Sequence, residues 1–194
     1  MQGPWRRLGP ERQQKVQHHQ RRHPNVVSSE DVERVEYGKG SFQVAARRLG
    51  AAAGSRALGC ALLELEPSKT AYPFHFHGAL EEAIYILEGT GVLRLGSDEV
   101  PVHAGDYVAM PAGPEYAHAL RNAGEGVLRY LCVSGPATAA TLDIISYPDS
   151  QKVSFASGIE PGRPGWKDRA WAIGIVRAKD ANVSYFAGEA LADE

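Results

Sequence analysis

The stretch Tyr72 to Gly89, YPFHFHGALEEAIYILEG, governs how the rest of the chain is read. His75 and His77 stand two apart in an otherwise apolar and aromatic run. On a strand, residues i and i+2 point to one face, so both imidazoles project to one side and could grip one ion. Past a break at Gly78, Glu81 and Glu82 open a second strand-like run, Ala83 to Leu87, rich in Ile and Tyr. The first residue of a returning strand lies close to the last residues of the strand before it, which brings one glutamate within reach of the same ion. Ile84 and Ile86 share parity with Glu82 and are expected to face inward, while Tyr85 and Leu87 face out or toward a partner subunit. Phe74 and Phe76 oppose the histidines and are expected to pack on the outer face of that sheet, with Glu81 at the surface.

Downstream, Gly105-x5-Pro111-x-Gly113-x4-His118-x3-Asn122 offers a further histidine. Together with His75-x-His77-x4-Glu82-x6-Gly89, it resembles the paired motifs of the cupin superfamily. In that family two histidines and a glutamate of the first motif, and a histidine of the second, bind a divalent metal inside a small antiparallel jelly-roll barrel. The likeness covers about residues 58 to 135 and departs in two places. Lys69 stands where the family has a turn glycine, and the second motif carries two more residues before its histidine than the commonest pattern. Tyr116 occupies the place where the shorter spacing would put the ligand. Either the loop Pro114 to Ala117 bulges and His118 returns to the pocket, or the site has only three protein ligands. The preserved spacing from His118 to Asn122 favours the first.

The resemblance implies an all-β jelly roll with metal ligands His75, His77, Glu82 and His118, one divalent transition metal per chain (Fe, Mn, Ni or Zn), and a homodimer. It implies a metal-dependent enzyme on a small polar substrate, either a sugar-type isomerase or epimerase or a dioxygenase. A small-molecule-binding cupin without catalysis is the alternative. Imidazole and carboxylate suit borderline first-row ions without choosing among them. The segment Tyr147-Pro148-Asp149-Ser150 with Lys152, and the end Tyr185 to Glu189, are similar to one branch of single-barrel cupins.

The 194 residues fit one ordinary domain with extensions. A formal net charge of -2 gives no global reason to expect nucleic acid or an anionic membrane as partner. The apolar runs fall short of the roughly 20 residues that span a bilayer. No basic-then-apolar leader opens the chain, so a cytoplasmic protein is expected. Residues 1–24, with His18, His19 and His23, are expected to be a basic, mobile arm; 25–57 are expected to lead into the barrel at 58–135, and 136–194 to pack on it. Ser-His-Asp sets, phosphate-cradling loops and dinucleotide fingerprints are absent.

Ser28 to Glu33 suggests a short helical turn, Phe42 to Leu49 a strand or lead-in, and Ala51 to Ser55 a small-residue loop. Dense strand signals begin at Leu58: Cys60 to Glu66, the ligand strand Thr70 to His77, Glu82 to Leu87, Val92 to Leu95, Glu99 to Val102, Tyr107 to Met110, His118 to Arg121, and Val127 to Ser134. Thr141 to Tyr147 is expected as an edge strand, His103 as an exposed turn residue, and Cys60 and Cys132 as reduced thiols in the core.

Overall fold

The computed structural model describes residues 23–135, 142–157 and 172–177. Expectations for the arm up to residue 22, the loop Gly158 to Gly165, Trp166, Trp171 and Asp180 to Phe186 lie outside these residues. A single 3-10 turn, Ser29–Asp31, precedes the strands, which are β1 (Val35–Lys39), β2 (Phe42–Arg47), β3 (Gly59–Leu65), β4 (Phe76–His77), β5 (Glu81–Glu88), β6 (Thr90–Leu95), β7 (Asp98–His103), β8 (Tyr107–Met110), β9 (His118–Asn122), β10 (Leu128–Gly135), β11 (Leu142–Tyr147), β12 (Lys152–Ser157) and β13 (Ala172–Arg177). One helical turn, α1 (Leu49–Ala52), runs from the end of the expected strand into the first residues of the expected loop. Alanine and leucine favour helix, and Gly54, at φ +81, ends the turn.

One six-stranded sheet runs β1-β2-β3-β10-β5-β8. The facing layer is assembled from β7-β6-β9 and β13-β12-β11-β4, joined where residues 69–75 pair with β9. The ligand segment is therefore not one continuous strand. Pro73 has no amide to donate, and ladder pairing survives as bridges at Thr70↔Arg121 and His75↔His118 before β4 begins. The turn entering this segment places Ser68, not Lys69, in the left-handed region at φ 65, so the missing glycine costs the turn nothing at position 69. β11 is an inner strand of its sheet, between β4 and β12, rather than an edge. Its partner β12 starts at Lys152, after the 3-10 turn Pro148–Ser150.

The core lies between the layers. Val44, Leu63, Leu65, Ile84, Ile86, Met110, Leu128 and Tyr130 from the larger sheet meet Ala71, Leu93, Val102 and Leu120 from the other. Alternation on β5 is clean, with Ile84 and Ile86 buried and Tyr85 and Leu87 exposed, as period 2 demands. Burying each large side chain stabilises by about 1.5–3 kcal/mol, and Ile86→Ala, at a fully buried position, would cost about 2–5 kcal/mol. Asn122 is also fully buried but satisfied, donating to Leu65 O and Gly126 O (both 2.8 Å) and accepting from Gly124 N at 2.9 Å. Cys60 pairs with Val133 and Cys132 with Ala61, so the two cysteines point to opposite faces and remain thiols. Among the described residues no helix is long and apolar enough to cross a membrane.

Candidate metal centre

His75 and His118 are directly opposed across the layer. Each donates its amide to the other's carbonyl, at 3.1 and 2.8 Å, and that pairing puts both rings on one face with centroids 4.6 Å apart. His77 follows two residues after His75, with ring centroids 5.3 Å apart. Glu82 enters from the other sheet, at the start of β5 opposite Met110 and Ser134. Its Oε2 lies 3.4 Å from His77 Nε2 and 3.3 Å from His118 Nε2.

The additional residues before His118 form a 3-10 turn, Pro114–Tyr116, entered through Gly113 at φ 135, a value only glycine tolerates well. The turn carries the chain past Tyr116 and brings His118 into the interior beside Glu82. A ligand-type atom from each of His75, His77 and Glu82 lies within 4.8 Å of the others, and His118 adjoins this trio through Glu82. His103 is remote in role, exposed at the end of β7 and 3.1 Å from Asp106.

Each imidazole is held by its outer nitrogen. His75 Nδ1 meets Pro73 O at 2.8 Å, His77 Nδ1 meets Asp143 Oδ2 at 2.5 Å, and His118 Nδ1 meets Tyr116 O at 3.0 Å. Backbone carbonyls only accept, so the Nδ1 atoms of His75 and His118 are the donors there, which leaves the other ring nitrogen of each free for a further partner. Such outer partners fix the tautomer and ring plane of metal-binding histidines. The donor set therefore fits a divalent transition ion, with His75, His77 and Glu82 able to hold it and His118 beside them.

Burial alone would raise the Glu82 carboxyl, but His118 and His77 hold it well below the usual carboxylate range. Burial opposes charge on His77, yet Asp143 and Glu82 lift it to about 9. Desolvation, then the like charges of His118 and His77, pushes His75 down to about 4. Asp143 is depressed despite its burial because it faces His77 and accepts from Ala79 N at 3.1 Å.

Three contributors were not read from the sequence as parts of a site. Asp143 comes from β11, 66 residues from His77, and its only local cue is a lone acid in an otherwise apolar strand. Tyr147, at the end of the same strand, stacks on His75 with centroids 5.8 Å apart and planes 25° apart. Cys132, expected in the core, also sets its Sγ 3.9 Å from Glu82 Oε1. The cluster opens on a cavity of about 440 Å³ with largely apolar walls, including Leu63, Ile84, Leu93 and Met110. That size suits a small molecule.

Residues 61–134 match the family model described as the cupin domain. A stretch of 62 residues is 39% identical to an uncharacterized protein of Methanocaldococcus jannaschii, covering 32% of this chain and 48% of that protein. The chain thus spans about half the length of the curated relative it matches. A solved structure described as a sugar phosphate isomerase from a cupin superfamily, from Silicibacter pomeroyi, superposes with a TM-score of 0.66 at 22% identity, covering 82% of this chain and 97% of that one. Likeness at that identity shows a shared fold alone. A predicted oxalate decarboxylase from Thermotoga maritima superposes with a TM-score of 0.51 at 28% identity, over 57% of this chain and 98% of its own. Motifs, sheet order and these likenesses agree on a cupin jelly roll.

Proposed function

We propose that this cupin-domain protein is a metal-dependent enzyme acting on a small polar molecule, with His75, His77, Glu82 and His118 as the metal ligands. The observation that carries the reading is the common orientation of the imidazoles. Outer nitrogens are tied to Pro73, Asp143 and Tyr116, and the Nε2 atoms of His77 and His118 converge on one Glu82 oxygen at the wall of the cavity. A bound divalent ion would supply Lewis acidity toward a carbonyl or hydroxyl oxygen, or a place for dioxygen, depending on the metal. The chain's part is to fix the rings, keep a proton between His77 and Asp143, and surround the substrate with apolar walls that exclude water. Isomerisation or epimerisation of a sugar-type substrate and dioxygen-dependent oxidation both fit this frame. A homodimer fits the outward aromatic and aliphatic surface of Tyr85 and Leu87, each 43% exposed.

A second reading, a ligand-binding cupin without turnover, is favoured by one observation. Tyr72 is pushed up to about 12 by burial, and burial also raises Tyr130, Tyr147 and Cys132, so these cavity-lining groups all hold their protons near neutrality. None of them is then a base at neutral pH, and proton abstraction would fall to the ligand cluster itself. The test is elemental analysis followed by two assays on protein loaded in turn with iron, manganese, nickel and zinc. Solvent deuterium incorporation into small hydroxy-aldehydes, followed by NMR, reports isomerase chemistry, and an oxygen electrode reports oxidation. About one equivalent of metal with turnover in either assay supports the enzyme. Stoichiometric metal and saturable ligand binding without turnover selects the second reading, and no metal after reloading rejects both.

A further inference from the structure

The cavity that holds the histidine cluster is also lined by Arg48 and Arg56, which flank α1. Several other described arginines are held by acceptors of the chain itself: Arg34 lies 2.9 Å from Glu64, Arg94 lies 2.7 Å from Asp149, Arg129 lies 3.4 Å from Glu64, and Arg47 donates to Val32 O at 2.6 Å. Arg48 and Arg56 have no acidic partner among the described residues. Arg48 is instead steadied by Tyr37, whose hydroxyl accepts from its Nε at 3.4 Å and whose ring centre lies 5.5 Å from its guanidinium carbon. That arrangement engages the stem side of the guanidinium and leaves both terminal amino groups without a described acceptor. A guanidinium set beside apolar walls is a ready partner for an anion, which its terminal amino groups can hold through charge-assisted hydrogen bonds. Tyr72 lines the same cavity as Arg48, and its ring lies 6.3 Å from that of His75.

We infer that Arg48 and Arg56 bind the anionic group of the substrate, a carboxylate or a phosphate, so that the remainder of the molecule reaches the histidine cluster within the same cavity. The inference rests on the cavity being a substrate site, as proposed above, and it narrows the substrate to small acids or phosphate esters. The planar fork of arginine matches both anions, and the two sources differ in which probe binds tighter.

The experiment is calorimetric titration of the metal-loaded full chain with inorganic phosphate and, separately, with acetate. It is repeated on Arg48→Gln, Arg56→Gln and His75→Ala/His77→Ala. At least one anion should bind, weakened about tenfold or more by either arginine substitution, the loss expected for a charge-assisted hydrogen bond. The double histidine variant should keep that binding. Tighter phosphate binding assigns a phosphate ester and tighter acetate binding a carboxylic acid. Absence of binding, equal binding in both arginine variants, or loss confined to the histidine variant overturns the inference, the last because the anion would then sit on the metal. Arg56 is exposed and has no described side-chain partner, so its variant folds even if Arg48→Gln does not. Failure of the metal reading shows separately, in the metal content of the unmodified chain.

Discussion

The barrel matched by the family model, residues 61–134, and the hairpin β11–β12 that follows it do different work at the cluster. The barrel supplies the inward atoms, on His75, His77, Glu82 and His118. The hairpin supplies Asp143, which grips the outer nitrogen of His77, and Tyr147, which lies against His75. The proposed ligands thus come from short spacings on β4 with the residue before it, on β5 and on β9, and part of their orientation from pairing between distant segments. Orientation can therefore be disturbed while every proposed ligand stays in place.

The comparison breaks most completely at its first half. In a chain carrying His18→Ala, His19→Ala and His23→Ala to remove adventitious sites, adding His75→Ala and His77→Ala should reduce metal from about one equivalent to background. The fold should persist, because the core of Leu65, Ile86 and Leu128 does not include these rings. Elemental analysis and circular dichroism read the two halves, and unchanged metal content would end the ligand assignment.

Asp143→Asn tests the second half. Removing an outer carboxylate from a metal-bound histidine typically weakens affinity about 10–100-fold. Competition with a chromophoric chelator should show a loss of that size in protein that circular dichroism still shows to be folded. Wild-type affinity would mean that the barrel alone orients His77.

Proton linkage sharpens the same contrast. Without metal, Asp143 and Glu82 keep His77 charged up to about 9, whereas His75, pushed to about 4, is neutral at pH 7. Metal uptake at neutral pH must therefore displace a proton from His77, and apparent affinity should rise about tenfold per pH unit until about pH 9. For the metal-free fold the sign is opposite. A raised pKa contributes stability that is fully present below the unfolded value of 6.5 and lost as pH rises through about 9. Urea unfolding of metal-free protein over that window should show the decline, and Asp143→Asn should flatten it. Metal affinity independent of pH between 6.5 and about 9 would contradict the protonation of His77.

Much of the barrel was legible because its signals are local. The parity of Glu82, Ile84 and Ile86 placed one face inward, and glycine-marked turns bounded β6 to β8. Even the long approach to His118 resolved locally, as a 3-10 turn. What escaped depends on tertiary pairing. β11 looked like an edge because an isolated apolar run carries no information about its second neighbour, here β4. The break at Pro73 was hidden inside an apolar run that reads as one strand, and Asp143 had nothing nearby to betray a histidine 66 residues away.

The smallest effect concerns how the hairpin is held. Arg94 on β6 forms two parallel hydrogen bonds to Asp149, at 2.7 and 3.1 Å, and its guanidinium carbon sits 3.5 Å from the centre of the Phe74 ring. The pair is solvent-facing, with side chains 41% and 56% exposed, so screening limits it, and Arg94→Ala should cost only about 1 kcal/mol. Sheet pairing of Ile145 with His77 and Ser146 with Phe76, and the 2.8 Å bond from Gly78 N to Ile144 O, would still seat β11. Thermal unfolding at low and high salt should therefore show a small, salt-dependent loss while metal affinity stays at the wild-type value. If affinity fell as far as in Asp143→Asn, the Arg94 clamp and not the sheet would be what positions Asp143. The hairpin's contribution would then be fixed from the surface inward.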